Sequence, residues 1–132
     1  MKTIFKEYNG ETFIYLNHDY TSQTFPEALQ NIAYIQFTID IEDKEVNVSY
    51  IYVDEKYRGL GYSEYLIQTM FKYVYDEMKN EGINQYNILL DDMSDRFGME
   101  NNLYLKMGFE YCERDENGPC GPEMILTIVI DK

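Results

Sequence analysis

"VSYIYVDEKYRGLGYSEYLIQTMF", residues 48–71, decides how the chain is read. From Val48 to Val53 it is rich in β-branched and aromatic residues, the composition of a strand. Beyond the glycines, Ile67, Met70, Phe71, Val74 and Met78 fall at helical spacing. A strand, a glycine turn and a helix start bring successive amides and the positive end of a helix dipole to one place. Gly59 and Gly61 let the backbone approach a ligand or take a positive φ. Lys56 and Arg58 add positive charge beside them. Such a loop can cradle a pyrophosphate, and an unliganded tight turn would use the same glycines.

Working outward, the rest of the chain reads as strands alternating with helices. Thr3–Tyr8 and Thr12–Leu16 flank Asn9-Gly10, a hairpin signal. Residues 20–30 are polar, contain Pro26 and suit a short helix. Ala33, Ile35, Phe37, Ile39 and Ile41 repeat with period two, as a half-buried strand does. After a turn at Glu42-Asp43-Lys44, the residues Val46, Val48, Tyr50 and Tyr52 alternate with Asn47, Ser49, Ile51 and Val53, which predicts the next strand. Gly82 is placed to stop the long helix. Tyr86–Leu90 predicts a buried strand, residues 95–106 a second helix, and Phe109–Glu113 and Met124–Ile130 the last two strands.

Composition bounds the function. At 132 residues the chain is long enough for one domain with one core, here taken as 1–132. It is 45% hydrophobic and 16% aromatic, unlike a disordered tail. Lys and Arg total 11 against 24 Asp and Glu, a formal net charge of −13. That balance predicts no nucleic-acid or anionic-membrane partner and favours cations or amines. MKTIFKEYNG has no apolar signal core, and Met124–Ile130 is too short to span a bilayer, so the cytoplasm is the expected compartment. There Cys112 and Cys120 are expected as free thiols. With His18 the only histidine, no metal site of the zinc type is expected. His18 itself is expected as a surface-loop residue.

The glycine loop fits no nucleotide motif of another class. No Gly-Lys-Ser/Thr follows, so it is not a Walker A loop. Glu64 stands where a dinucleotide fingerprint needs a third small residue, and Asp91 lies too far along to be its ribose acid. A kinase-type glycine loop joins two strands, whereas this one opens a helix.

The stretch resembles the central motif of the GCN5-related N-acetyltransferases, the GNAT superfamily: a strand, Gln/Arg-x-x-Gly-x-Gly/Ala, then an amphipathic helix. Arg58-Gly59-Leu60-Gly61-Tyr62-Ser63 fits all but the last position. Downstream, "NLYLKMGFEY", residues 102–111, is similar to the family's Tyr-x-Lys-x-Gly-Phe junction through Tyr104, Lys106, Gly108 and Phe109. The matched motifs lie within residues 46–132.

The resemblance implies a single-domain α/β fold: a mixed, mostly antiparallel sheet splayed between two central strands and flanked by helices. It implies acetyl-CoA in the splay, with pyrophosphate on the amides of Arg58, Gly59, Leu60, Gly61, Tyr62 and Ser63. The pantetheine arm would pair with the backbone of Ile51 and Val53. It implies direct attack of a primary amine on the thioester, with Tyr104 as general acid for the departing thiolate. The base has no clear match. Glu42, Asp43 and Glu45 lie in or beside the turn before the strand. Asp91 and Asp92 follow the other splayed strand and could take a proton or attract a cationic amine; as a loop pair they could equally cap the next helix. The family's usual asparagine has no counterpart, since Asn101 and Asn102 lie too close to Tyr104. A second class stays open: an acidic binding protein on the same scaffold, either a nucleic-acid mimic or a CoA-sensing subunit. The acceptor and the oligomeric state stay open too, a homodimer included.

Overall fold

The computed structural model describes residues 1–91, 102–112 and 123–130. Seven strands form one sheet in the order β1-β2-β3-β4-β5-β7-β6. They are β1 (Lys2–Tyr8), β2 (Glu11–Asn17), β3 (Ala33–Asp40), β4 (Glu45–Val53), β5 (Gln85–Asp91), β6 (Glu110–Tyr111) and β7 (Glu123–Val129). All pairings are antiparallel except that of β4 with β5. Asn9 and Gly10 close the first hairpin at φ +52° and +79°, the double positive-φ turn that matches strand twist.

One long helix, α1 (Tyr62–Asn80), covers one face of the sheet. Its buried residues Leu66, Ile67, Met70, Val74 and Met78 pack on Ile14, Leu16, Ile35, Phe37, Val46 and Ile88. Burying each such side chain fully contributes roughly 1.5–3 kcal/mol. The helix ends as Gly82 implied. At φ +74° Gly82 donates to the Lys79 carbonyl at 3.1 Å, while Ile83 donates to Met78 at 3.0 Å. A smaller cluster on the opposite face gathers Phe13, Tyr15, Tyr34 and Ala28, the last from a 3₁₀ turn at Glu27–Gln30. The short helix suited to residues 20–30 is this turn.

Downstream, the described part of the second helix is α2 (Leu103–Lys106); the expected residues 95–101 lie outside the described residues. So do Glu113, the last residue of the strand expected from Phe109, and Cys120. Among the described residues, no helix is long and apolar enough to cross a membrane.

One expectation is corrected. Val46, Val48, Tyr50 and Tyr52 do not share a face. β3 pairs Phe37 with Val48 but Gln36 with Tyr50, so Ser49 is an extra residue in β4. This bulge inverts the alternation. Val46, Val48, Ile51 and Val53 pack on the α1 side, Tyr52 packs in the opposite cluster, and Tyr50 is 62% exposed.

The inverted faces can be measured. Tyr50→Ala should change stability by no more than about 0.5 kcal/mol, as exposed substitutions do. Ile51→Ala, on a half-buried core contact, should cost about 1–2 kcal/mol, less than a fully buried truncation. Urea denaturation of both variants checks the order; a Tyr50 variant costing more than the Ile51 variant would mean an unbroken strand.

Candidate active site

The site begins where β4 leaves β5. The two strands pair only through Glu45, Val46 and Asn47 against Asn87, Ile88 and Leu89. The bulge at Ser49 follows directly, and beyond it, among the described residues, β4 keeps β3 as its only partner strand. The wedge opens toward the C-terminal ends of both strands. An open cavity of about 200 Å³ occupies its mouth, lined by Asn47, Val48, Leu89, Leu90, Asp91 and Glu123.

The glycine loop follows β4. Asp54 accepts from the Lys56 amide at 3.1 Å and starts a 3₁₀ turn over Glu55–Tyr57. Gly59 and Gly61 then sit at φ +79° and +86°, and Gly61 is the N-cap of α1. A Cβ at either glycine would meet no atom within 4 Å, so the turn is closed by backbone conformation and its surface faces open space. The first amide of this segment to reach a helical carbonyl is that of Tyr65, which donates to Gly61 at 3.0 Å. Among the described residues, no backbone or side-chain acceptor takes the amides of residues 59–64. Six consecutive free donors at the start of a 19-residue helix are what an anion site at a helix N-terminus requires. This arrangement fits a pyrophosphate.

The expected cradle residues take different roles within it. The expected row of amides, 58–63, shifts by one: the Arg58 amide donates to the Glu55 carbonyl at 3.4 Å, its guanidinium turns back so that Nε donates to the Val53 carbonyl at 3.1 Å, and the Glu64 amide joins the row instead. Leu60 is 63% exposed at the loop tip. Tyr62 is half-buried, its ring 6.0 Å from that of Tyr57, and Ser63 lies beside it in the first helical turn. Ile51 and Val53 lie on the diverging arm of β4, half-buried on the α1 side.

Tyr104 lies on α2. Asn102 is 1% exposed and caps this helix, its side chain accepting from the Tyr104 amide at 2.8 Å and the Leu105 amide at 3.3 Å. The capping role explains an asparagine so close to the tyrosine. The Tyr104 ring meets Phe109 edge-on at 6.3 Å, and Phe109 lies 6.0 Å from Phe71 of α1. The hydroxyl is thus carried on a helix held by the main core.

Asp91 ends β5 at the mouth of the wedge, whereas Asp92 lies outside the described residues. Glu45 is at the closed end, where β4 and β5 pair, and the turn bearing Glu42 and Asp43 precedes it. Those three acids therefore stand apart from Asp91. Glu123, which the sequence did not single out, pairs across from Asp91 and lines the same cavity. Its carboxylate lies 3.7 Å from the Cys112 sulfur. Burial pushes the Cys112 thiol up, and the charges of Glu123 and then Asp91 push it further, so it stays protonated. His18 is also closer to the loop than expected. It is half-buried, and its Nε2 lies 3.3 Å from the Tyr57 hydroxyl. Among the described residues, no group of three His, Cys, Asp or Glu side chains is placed to hold a metal ion.

With this geometry in hand, known proteins can be compared. The family model described as "Acetyltransferase (GNAT) domain" matches residues 11–111. No curated protein sequence matches significantly. Among solved structures, the chain is similar to the GNAT family N-acetyltransferase YhbS from Escherichia coli in complex with CoA, at 20% identity and TM-score 0.51. That alignment covers 86% of this chain and 57% of the E. coli one, so the chain spans a little over half of that protein's length. Tetrahymena GCN5 aligns at 18% identity and TM-score 0.58, covering 91% of this chain and 69% of that one. The KacTA–DNA complex aligns at 16% identity and TM-score 0.63, covering 92% and 70%. At such identities these likenesses establish the shared fold. The family model covers well over half of the chain, and on that ground the protein belongs to the GNAT acetyltransferase family.

Proposed function

We propose that the protein transfers an acetyl group from acetyl-CoA to a primary amine. The observation that carries this reading is the row of six unpaired amides, residues 59–64, at the lip of a splayed sheet. Bound acetyl-CoA would supply an activated thioester, and the chain's own residues supply the rest. The amides of residues 59–64 would hold pyrophosphate. The arm of β4 that β5 does not pair, with Ile51 and Val53, offers backbone groups toward the gap that need partners when covered, the Val53 carbonyl being already held by Arg58 Nε. The Tyr104 hydroxyl is assigned the proton for the departing thiolate. Asp91 and Glu123 give the wedge mouth a negative field, which draws a cationic amine and lowers the cost of bringing it in. Each is also a candidate proton acceptor. The net charge of −13 favours a cationic acceptor, a small polyamine-like molecule or a protein lysine, and opposes nucleic acid.

Mass spectrometry of an amine panel incubated with protein and acetyl-CoA tests the reading. Acetylated product from a cationic member is the expected result. Donor binding with no product from any amine would instead favour a CoA-sensing subunit. Capture of a DNA-binding protein without donor binding would favour a nucleic-acid mimic.

Three measurements address the parts. Gly61→Val adds a branched side chain at φ +86° where the ligand must approach. It should weaken acetyl-CoA binding at least about tenfold, or 1.4 kcal/mol, by titration calorimetry. Unchanged affinity in a folded variant would reduce the loop to a simple turn. Tyr104→Phe removes one hydroxyl and keeps the ring contact with Phe109. Its kcat should fall roughly a hundredfold with donor affinity little changed, the pattern of an interaction used in the transition state. Parental turnover at saturating acceptor would make Tyr104 a packing residue. Cys112 reports the local field. A negative charge disfavours the thiolate, so Glu123→Gln should move the midpoint of the iodoacetamide rate to lower pH, measured in a Cys120→Ser background. A midpoint that does not move would deny Glu123 its influence at the wedge mouth.

A further inference from the structure

The outer edge of the sheet carries a surface that acetyl transfer does not use. Among the described residues, β1 pairs with β2 alone. The two-residue turn makes Tyr8 and Glu11 the first hydrogen-bonded pair, and Lys6, Ile4 and Lys2 follow at every second position. The N–H and C=O groups of Thr3, Phe5 and Glu7 therefore point away from the sheet. β1 is seven residues long, regular in register and free of proline; the edge guards it does carry are the charges of Lys2, Lys6 and Glu7, and Lys6 lies on the face away from α1.

The side chains of the same three residues turn toward α1. Thr3 Oγ1 is 2.7 Å from the Tyr65 hydroxyl, and the Phe5 ring stacks on Tyr73 at 5.7 Å. The Tyr73 hydroxyl donates to Glu7 at 3.1 Å. Lys6 goes to the opposite face, 6.0 Å over the Phe25 ring.

Two open cavities adjoin along this side and share Tyr73. One, of about 450 Å³, is mainly apolar; Phe5 and Tyr65 line it, 49% and 43% exposed. Its charges cancel, because Lys72 pairs with Asp76 at 3.2 Å. The other, of about 400 Å³, is lined by Glu7, Glu77 and Glu81, with no lysine or arginine among the described residues of its wall; Glu11 also borders it, but its carboxylate accepts from Gln36 Nε2 at 2.7 Å. Burial, the hydrogen bond to Glu7 and the charges of Glu7 and Glu77 all push the Tyr73 hydroxyl up.

We propose that β1 and the groove beside α1 form a docking site for an extended, basic protein segment that adds to the sheet as an eighth strand. Backbone bonds to Thr3, Phe5 and Glu7 would hold it in register. On its α1-facing side it would place an apolar residue by Phe5 and Tyr65. Two positions along, on the same side, it would place a lysine or arginine by Glu7 and Glu77. Charge selects this occupant. A second copy of the chain would bring its own Glu7 and a net charge of −13 against Glu7, Glu77 and Glu81. The groove lies three strands from β4, and docking needs no acetyl donor. Its outcome is therefore independent of the proposed chemistry.

The test is fluorescence anisotropy with a labelled peptide of about ten residues, enough for one strand and its flanks. One face of the peptide alternates leucine and arginine, and the other is threonine. A second peptide carries N-methyl groups on the backbone amides that would face β1. The first should bind saturably and the second at least about tenfold more weakly, 1.4 kcal/mol or more. Glu77→Lys with Glu81→Lys should weaken the first by a similar factor, with melting curves confirming the fold. Absence of saturable binding, equal binding of the N-methylated peptide, or equal binding by the charge-reversed protein each overturns the proposal. So does light scattering that shows a dimer which Phe5→Lys dissociates, since the edge would then belong to a second copy.

Discussion

The structure depends on β4 being unable to follow β5. Three parallel pairs hold the strands together, and then Ser49 adds a residue that β3 cannot match. A bulge sharpens the local twist and bends its strand. It thereby frees the arm from Ile51 to Val53 from β5 while leaving it paired to β3. In a closed sheet those backbone groups would be spent on β5. In the wedge they face a gap, and exposed ladder groups at a concave edge are what a ligand with amides can use. The same arm delivers the chain into the Asp54–Gly61 turn, so the direction of β4 also sets where α1 begins. Cleft and cradle are two results of one added residue.

Local signals were legible in the sequence, and register was not. Asn9-Gly10, the stripe from Ile67 to Met78, and Gly82 each act over a few residues, and the chain follows them. The loop from Lys56 to Ser63 was legible for the same reason: turn, glycines and helix start are contiguous. Ser49 carries no such signal. Its neighbours alternate without a break, and only the pairing of Phe37 and Gln36 across the ladder reveals the extra residue. Site residues divide the same way. Asp91 could be named because it ends a readable strand, but Glu123 joins it only through the β5–β7 register. His18 reaches Tyr57 because β2 and β4 flank β3 and both reach the same end of the sheet. Asn102 was legible in principle, since a buried asparagine one residue before a helix is an N-cap signature.

The charge of the chain sharpens the role of the backbone. CoA is itself a polyanion, and a protein with net charge −13 repels it with a reach of about a Debye length, 8–10 Å in ordinary salt. Local cations do little to reverse this at the loop. Arg58 is turned back onto the Val53 carbonyl, and Lys56 is flanked in sequence by Asp54 and Glu55. What remains is a short-range device: amide dipoles and the start of α1, whose field acts within the first turn of the helix. Short-range recognition of this kind tolerates an acidic surface, because it operates only after the anion has arrived. Under the proposed function, the acidic surface would cost the donor little at contact and favour a cationic acceptor on approach. The two substrates would then be handled by different physics: backbone geometry for the anion, and the field of the surface for the amine.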